Sequence, residues 1–215
     1  MNIAIIDYGM GNLHSVCKAL DHAAPNARAY LAKTAADIAR ADRILLPGQG
    51  AIKGCMANIR AQDIEEALRQ AARQKPFLGI CIGPQLMMSR SEENGGVDGL
   101  GFFSGTVTRF ADSLTIPSPS DHTGTQKIKI PHMGWNTIRQ TRAHPLWANI
   151  ADNSHFYYVH SYHLPATAHT IGETGYGITF PAAIARGNLA GLQAHPEKSG
   201  AAGLQFLANF VQWQP

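Results

Sequence analysis

The chain has 215 residues, of which 45% are hydrophobic and 15% charged, and this composition predicts one compact globular domain over residues 1–215. Lys and Arg are scattered and the formal net charge is only +3, which argues against a nucleic-acid-binding surface. No apolar run approaches the ~20 residues that span a bilayer and no signal peptide is indicated, so we expect a cytoplasmic protein that does not bind membranes.

Cysteine usage gives no indication of a disulfide or metal framework. The three cysteines, Cys17, Cys55 and Cys81, are odd in number, widely spaced and without a Cys-x-x-Cys pair. We therefore expect neither a disulfide framework nor a zinc site. Separately, we expect no other metal and no organic cofactor.

The first third of the chain predicts alternating short strands and helices. Residues 2–6 are apolar after Asn2, as in a parallel strand buried on both faces, and a helix is expected to begin near Asn12. In that helix Val16, Cys17 and Leu20 share one face, which predicts that Cys17 lies in the core. Further elements are predicted as strands at 27–31 and 43–46 and helices at 35–40 and 62–74.

The turn after the first strand, Gly9-Met10-Gly11-Asn12-Leu13-His14, comes near the dinucleotide-binding fingerprint. His14 stands where the third glycine of that fingerprint belongs, and no acidic residue is correctly placed after a second strand. Nucleotide binding is therefore rejected.

Residues 77–83 end an apolar run abruptly in Gly-x-Cys-x-Gly and continue in a helical pattern, which predicts a strand, a tight turn and a helix. Small residues two positions either side of Cys81 let the backbone bend sharply, as in the serine version of the nucleophile elbow. Backbone N–H groups of the following helix would then favour the thiolate. Taken alone, this stretch also fits a buried structural cysteine.

A base and an orienting carboxylate for such a cysteine are present in His195-Pro196-Glu197, the one His-x-Glu of the sequence. Pro196 fixes its own φ and would hold the two flanking side chains in a set relation. His160 and His163 are rival bases, but neither has a carboxylate nearby in the sequence. The combination favours a catalytic triad of Cys81, His195 and Glu197.

The segments at 79–86, Gly-Ile-Cys-Ile-Gly-Pro-Gln-Leu, and 195–199, His-Pro-Glu-Lys-Ser, together resemble the class I glutamine amidotransferases, whose triad is Cys-His-Glu. The segments at 7–13, 46–51, 132–136 and 159–162 resemble, in the same order, one branch of that family that serves histidine biosynthesis. The βα units predict a three-layer α/β sandwich around a mainly parallel sheet with an antiparallel section.

The resemblance implies that Cys81 attacks the carboxamide of glutamine, with His195 as base and Glu197 as its orienting group. The products would be glutamate and ammonia. N–H groups near Gly50 and Ile82 would bind the oxyanion, and the glycine-rich turn Pro47-Gly48-Gln49-Gly50, which alone is most often an ordinary turn, would be the oxyanion strand. The implied substrate contacts are Gln85, Ser161 and Tyr162.

Nearly the whole chain is needed to build such a glutaminase, so the ammonia must pass to another polypeptide. In the resembled branch that partner is a (βα)8-barrel cyclase subunit, and we expect a heterodimer. The positions that match the family's interface are Asn12, Trp135 and Lys198.

Two alternatives stay open. The chain could be the glutaminase subunit of a different synthase, although the segment at 132–136 argues against this. It could also be a non-catalytic binding subunit, because Gln49, Pro84 and Ala194 depart from the residues that the family commonly has there. The intact Cys-His-Glu set argues more strongly for an enzyme.

The remaining segments are assigned by local pattern. Residues 91–96 predict a polar loop, and the resemblance implies that 95–101 border the glutamine pocket. Residues 113–126, rich in Pro, Ser and Thr, predict an exposed loop, in which Asp121-His122 has no nucleophile placed for it. Strands are predicted at 100–110, 135–140 and 155–160, a hairpin at 182–194, and a closing helix at 199–212 with an inner face of Leu204, Leu207, Ala208 and Val211.

Overall fold

The computed structural model describes residues 1–117 and 124–215. Its helices are α1 (Leu13–Ala23), α2 (Ala35–Ala39), α3 (Ile52–Ala61), α4 (Glu65–Gln74), α5 (Gly83–Leu86) and α6 (Gly200–Gln212). Its strands are β1 (Asn2–Ile6), β2 (Arg28–Ala32), β3 (Arg43–Leu46), β4 (Phe77–Ile80), β5 (Met88–Ser91), β6 (Val97–Asp98), β7 (Phe103–Arg109), β8 (Thr115–Pro117), β9 (Thr125–Lys127), β10 (His132–Gln140), β11 (Ser154–His160), β12 (Tyr162–His163), β13 (Thr170–Tyr176), β14 (Ile178–Arg186) and β15 (Leu189–Leu192). Single 3₁₀ turns occupy Glu93–Gly95, Pro145–Trp147 and Pro196–Lys198.

One large mixed sheet organises the described residues, with nine strands in the order β11-β10-β13-β14-β15-β4-β3-β1-β2. The strands from β2 to β15 in this order pair in parallel. From β15 to β11 the pairing is antiparallel. A smaller sheet, β12-β7-β5-β6, and the hairpin β8-β9 lie beside it. The predicted fold class, an α/β sandwich with an antiparallel section, is confirmed.

Side-chain alternation along β1 shows why the sheet is covered on both faces. Ile3 and Ile5 belong to one apolar core, which α1 and α6 complete. Ala4 and Ile6 belong to a second core, shared with α2, α3 and α4. A strand buried on both faces has no place for a polar side chain, which explains its uninterrupted apolar sequence.

Some predicted core positions are shifted in the structure. Cys17 is only half-buried, although its neighbours Val16 and Leu20 are buried. In α6 the rings of Phe206 and Phe210 are fully buried, whereas the predicted Leu204 and Ala208 are half-buried. Because burial of the two aromatic side chains removes more apolar area from water, the helix is oriented with these rings toward the core.

The structure differs from the sequence predictions in two further segments. Helix α3 was not predicted, although Ile52, Cys55, Met56 and Ile59 have helical spacing and all are buried. The predicted loop at 113–126 overlaps the paired strands β8 and β9, and Asp121-His122 lies outside the described residues. In the part of the chain that the structure describes, no helix is long and apolar enough to cross a membrane.

Close backbone approach joins the ends of β3 and β4. A Cβ atom built on Gly83 would lie 2.1 Å from the carbonyl oxygen of Leu46, and one on Gly48 would lie 2.1 Å from Cγ2 of Ile82. A Cβ on Gly79 would lie 2.7 Å from the carbonyl carbon of Gly83. Glycine at these positions lets residues 46–50 and 79–83 lie side by side at one edge of the sheet.

We expect Gly83→Ala to lower the free energy of unfolding by about 1–3 kcal/mol, because the added methyl group forces backbone rather than a flexible side chain to move. Gly175→Ala in β13 is the matched control, since a Cβ there meets nothing within 4 Å. Urea denaturation of both variants measures the difference. Equal stability of the two variants would contradict the close contact with Leu46.

Candidate active site

Cys81 lies in a strained turn at the end of β4. Its φ is +58°, in the left-handed region that costs a non-glycine residue about 1–3 kcal/mol. The Cys81 N–H donates to the carbonyl of Leu192 at 2.9 Å, which ties the turn to β15. The helix predicted after the turn is α5, which is a single turn ending at Leu86, because residues from Met88 onward pair with β7.

His195 follows β15, and a carboxylate fixes its ring. Its Nδ1 lies 2.8 Å from Oε1 of Glu197, and the side chains of the two residues are 9% and 2% exposed. The backbone is held as well, since the His195 N–H donates to the carbonyl of Tyr157 at 2.9 Å. The single 3₁₀ turn Pro196–Lys198 brings together these two side chains, which are two positions apart in the chain.

The electrostatics of His195 follow from these neighbours. Burial alone lowers its pKa, but the interactions with Cys81 and with Glu197, whose carboxylate is hydrogen-bonded to Nδ1, outweigh burial and raise the pKa above its ordinary value. At neutral pH the imidazole is therefore a proton donor. Because Glu197 occupies Nδ1, Nε2 is the nitrogen left for chemistry, and no nitrogen or oxygen of the described residues is hydrogen-bonded to it.

Cys81 and His195 open on one pocket of about 400 Å³. The predicted site residues Gly50, Ile82, Gln85, Ser161, Tyr162 and Lys198 all line it. Glu197 lies behind His195 and borders a neighbouring groove beside α1. Two predicted interface residues lie elsewhere: Asn12 caps α1, accepting from the N–H of Ser15 at 3.4 Å, and Trp135 is 56% exposed on β10.

Two further polar residues of the site were not found from the sequence. Glu93 lines the pocket, and its carboxylate accepts from the N–H of Ile52 at 2.9 Å. Gln193 is fully buried and donates to the carbonyl of Cys81 at 3.0 Å. Neither stands in a motif, since Glu93 lies in a polar loop without periodicity and Gln193 in an apolar strand end.

The rival histidines are held in other interactions. His160 lines the pocket, but burial lowers its pKa to about 3 and its Nδ1 bonds the carbonyl of Tyr162 at 2.8 Å. His163 bonds the hydroxyl of Thr108 at 3.2 Å. Glu197 on His195 remains the one carboxylate hydrogen-bonded to a histidine ring among the side-chain bonds of residues 1–117 and 124–215.

The family model described as glutamine amidotransferase class-I matches residues 4–213. The chain therefore belongs to the class I glutamine amidotransferases, as the sequence motifs predicted. Within that class it is similar over its whole length to proteins named imidazole glycerol phosphate synthase subunit HisH. The relative from Nitrosospira multiformis is 49% identical, with 100% of this chain and 99% of the relative covered. The relative from Hydrogenovibrio crunogenus is 50% identical, with coverage of 98% and 96%.

Solved structures agree at the level of the fold. PurLQS from Thermotoga maritima matches with a TM-score of 0.68 at 15% identity, covering 98% of this chain and 97% of that one. A structure described as a glutamine amidotransferase matches with a TM-score of 0.70 at 13% identity, covering 97% and 98%. The shared architecture is thus retained at low sequence identity.

We expect Glu197→Gln to lower the pKa of His195 by about 1–3 units, because the variant removes the negative charge that favours the imidazolium. Titration of ¹⁵N-labelled histidine followed by NMR measures this shift. Glu66→Gln is the control, since Glu66 is exposed on α4. An unchanged titration of His195 in Glu197→Gln would mean that Glu197 does not set the charge of the ring.

Proposed function

We propose that this chain is the glutaminase subunit of imidazole glycerol phosphate synthase and hydrolyses glutamine through Cys81, His195 and Glu197. The observation that carries this proposal is the buried 2.8 Å contact between His195 and Glu197 beside an elbow cysteine in one pocket. The full-length similarity to HisH subunits supports the particular synthase. The ammonia would pass to a (βα)8-barrel cyclase subunit of histidine biosynthesis in a heterodimer.

The triad divides the chemistry into two steps. Cys81 Sγ forms a bond to the carboxamide carbon of glutamine, and the proton of the thiol is carried by His195. When the carbon–nitrogen bond breaks, His195 gives a proton to the departing nitrogen, and ammonia leaves behind a glutamyl thioester. Water, deprotonated by His195, then attacks the thioester and releases glutamate and the free thiol.

The oxyanion of each tetrahedral intermediate needs N–H donors, and Gly50 and Ile82 line the pocket where these belong. The Gln49 carbonyl accepts from Cys55 Sγ at 3.7 Å. Since the carbonyl and N–H of one planar peptide point in opposite directions, the Gly50 N–H points away from Cys55. Gly50 has a φ of +90°, so the segment depends on glycine there.

Charge in the pocket fits the amino-acid end of glutamine. Glu93 supplies a carboxylate for the α-ammonium group, and Ser161 and Tyr162 supply further polar groups to the lining of the pocket. Gln85 is 2% exposed and is held by the Tyr162 carbonyl. These polar groups fit the amino-acid end of a small substrate.

The partner surface is proposed around Trp135 and Lys198. Met133 and Trp135 are 62% and 56% exposed and, two positions apart in β10, lie on the same face of that strand. The ring of Trp135 lies 5.9 Å from that of Tyr157, and Nζ of Lys198 lies 5.7 Å from the same ring. Because Lys198 also lines the pocket, this surface is continuous with the active site.

We expect Cys81→Ala to lower glutamine hydrolysis by ~10⁴-fold or more while leaving partner binding intact, because it removes the covalent route and little packing. Cys17→Ala is the matched control, a half-buried cysteine on α1. Glutamate production with the cyclase subunit present measures both. Hydrolysis by Cys81→Ala close to that of the unaltered enzyme would place the nucleophile elsewhere.

We expect the chain alone to hydrolyse glutamine slowly and the cyclase subunit to raise mainly kcat, because an oxyanion donor in the glycine-containing segment 48–50 acts on the transition state. Trp135→Ala should raise the partner concentration needed for activation by ~30-fold, the effect of a ~2 kcal/mol interface residue, and leave the plateau unchanged. Leu31→Ala is the control, since Leu31 is also exposed, at 43%, but on β2. Full turnover by the lone chain, or equal behaviour of the two variants, would contradict the proposal.

A further inference from the structure

Two buried histidines of β10 and β11 connect to the active site through side-chain hydrogen bonds. Asn136 Nδ2 lies 3.2 Å from His132 Nε2, and His132 Nδ1 lies 2.9 Å from His160 Nε2. His160 Nδ1 lies 2.8 Å from the carbonyl oxygen of Tyr162. We propose that His132 and His160, both as neutral Nδ1–H tautomers, are positioning residues that hold the Tyr162 carbonyl and, beyond it, the Cys81–Ile82 peptide for glutamine hydrolysis. This inference rests on the proposed glutaminase function.

The position of each proton follows from the one before it. A carbonyl oxygen only accepts, so His160 must carry its hydrogen on Nδ1. Burial lowers the pKa of His160 to about 3, so the ring is neutral and its Nε2 accepts. His132 must then donate from Nδ1, and because burial lowers its pKa to about 4, its Nε2 accepts from Asn136. Every bond in this series therefore points toward Tyr162.

On the other side of Tyr162 the series continues into the elbow. Gln85 Nε2 donates both to the Tyr162 carbonyl and to Gln193 Oε1, each at 3.0 Å. Gln193 Nε2 donates to the carbonyl of Cys81 at 3.0 Å. Gln85 and Gln193 are 2% and 0% exposed, so water does not replace these bonds. The Tyr162 carbonyl is thus the junction between the two histidines and the two glutamines.

Aromatic packing leaves the two histidines little freedom. The ring of His132 stacks between those of Tyr158 and Tyr176, with centroid distances of 4.7 and 4.0 Å. The ring of His160 lies 5.3 Å from Phe110 and 5.2 Å from Phe180. An Nε2–H tautomer of His160 in this fixed ring position would direct the Nδ1 lone pair at the Tyr162 carbonyl, and the two would repel.

The hydrogen bonds from Tyr162 through Gln85 and Gln193 reach the reaction centre at the peptide between Cys81 and Ile82. The carbonyl of Cys81 and the N–H of Ile82 belong to the same planar peptide, so a bond that fixes the carbonyl also fixes the N–H. Ile82 is a proposed oxyanion donor and lines the pocket together with His160, Gln85 and Tyr162. Loss of an oxyanion donor costs about 10²–10³ in kcat, so partial misplacement should appear in kcat more than in KM.

Two amide variants of His160 separate the two ring nitrogens. In His160→Asn the amide nitrogen comes near the Nδ1 position and keeps a donor for Tyr162, whereas His160→Gln places the amide near Nε2 and leaves the carbonyl without it. Both variants lose the same aromatic packing. In the complex with the cyclase subunit, we expect His160→Gln to lower kcat by ~10-fold or more with KM changed by less than about threefold. His160→Asn should recover most of that loss.

NMR of ¹⁵N-labelled histidine in the unaltered chain tests the tautomers without any variant. We expect both His132 and His160 to show the neutral Nδ1–H pattern throughout pH 5–9. An Nε2–H tautomer at His160, or equal kcat for the Asn and Gln variants in an enzyme that does hydrolyse glutamine, would overturn the inference. If the unaltered complex did not hydrolyse glutamine, the proposed function would be overturned instead. The NMR measurement would still determine the tautomers of His132 and His160, because it does not depend on activity.

Discussion

The left-handed backbone of Cys81 is the constraint on which the site depends. A non-glycine residue at a φ of +58° is unfavourable, and the neighbouring elements hold it there. The Cys81 N–H donates to the carbonyl of Leu192 in β15, and the Gln193 side chain donates to the carbonyl of Cys81. Since His195 follows three residues after the end of β15, one short segment positions both Cys81 and His195.

The buried polar side chains around the site have hydrogen-bond partners. Gln85 and Gln193 would destabilise an apolar core if unpaired, but each bonds to backbone and to the other. His132 and His160 are likewise satisfied only when neutral, which their burial among aromatic rings favours. The antiparallel section of the sheet therefore does more than extend the fold, because it carries a polar connection into the parallel half where the chemistry lies.

Local sequence patterns correctly predicted those elements whose structure depends on residues close to one another in the chain. The Gly-x-Cys-x-Gly elbow and the His-Pro-Glu segment each place their groups within a few positions, and strands β1 and β3 fall where their apolar runs predict. Patterns failed where pairing partners decide: α5 is short because residues from Met88 join β7, and the buried face of α6 follows Phe206 and Phe210. Helix α3 shows that a correct apolar spacing can be overlooked among polar residues.

The sequence by itself determined the family and the α/β fold class, and it predicted Cys81, His195 and Glu197 as the triad, because short motifs and apolar periodicity carry this information. Only the tertiary structure decided that Glu93 faces the pocket and that His160 serves the Tyr162 carbonyl. It also brought together Gln85 and Gln193, which are 108 positions apart in the chain. Hydrogen bonds of that kind depend on how distant strands meet, and no local pattern of residues contains that information.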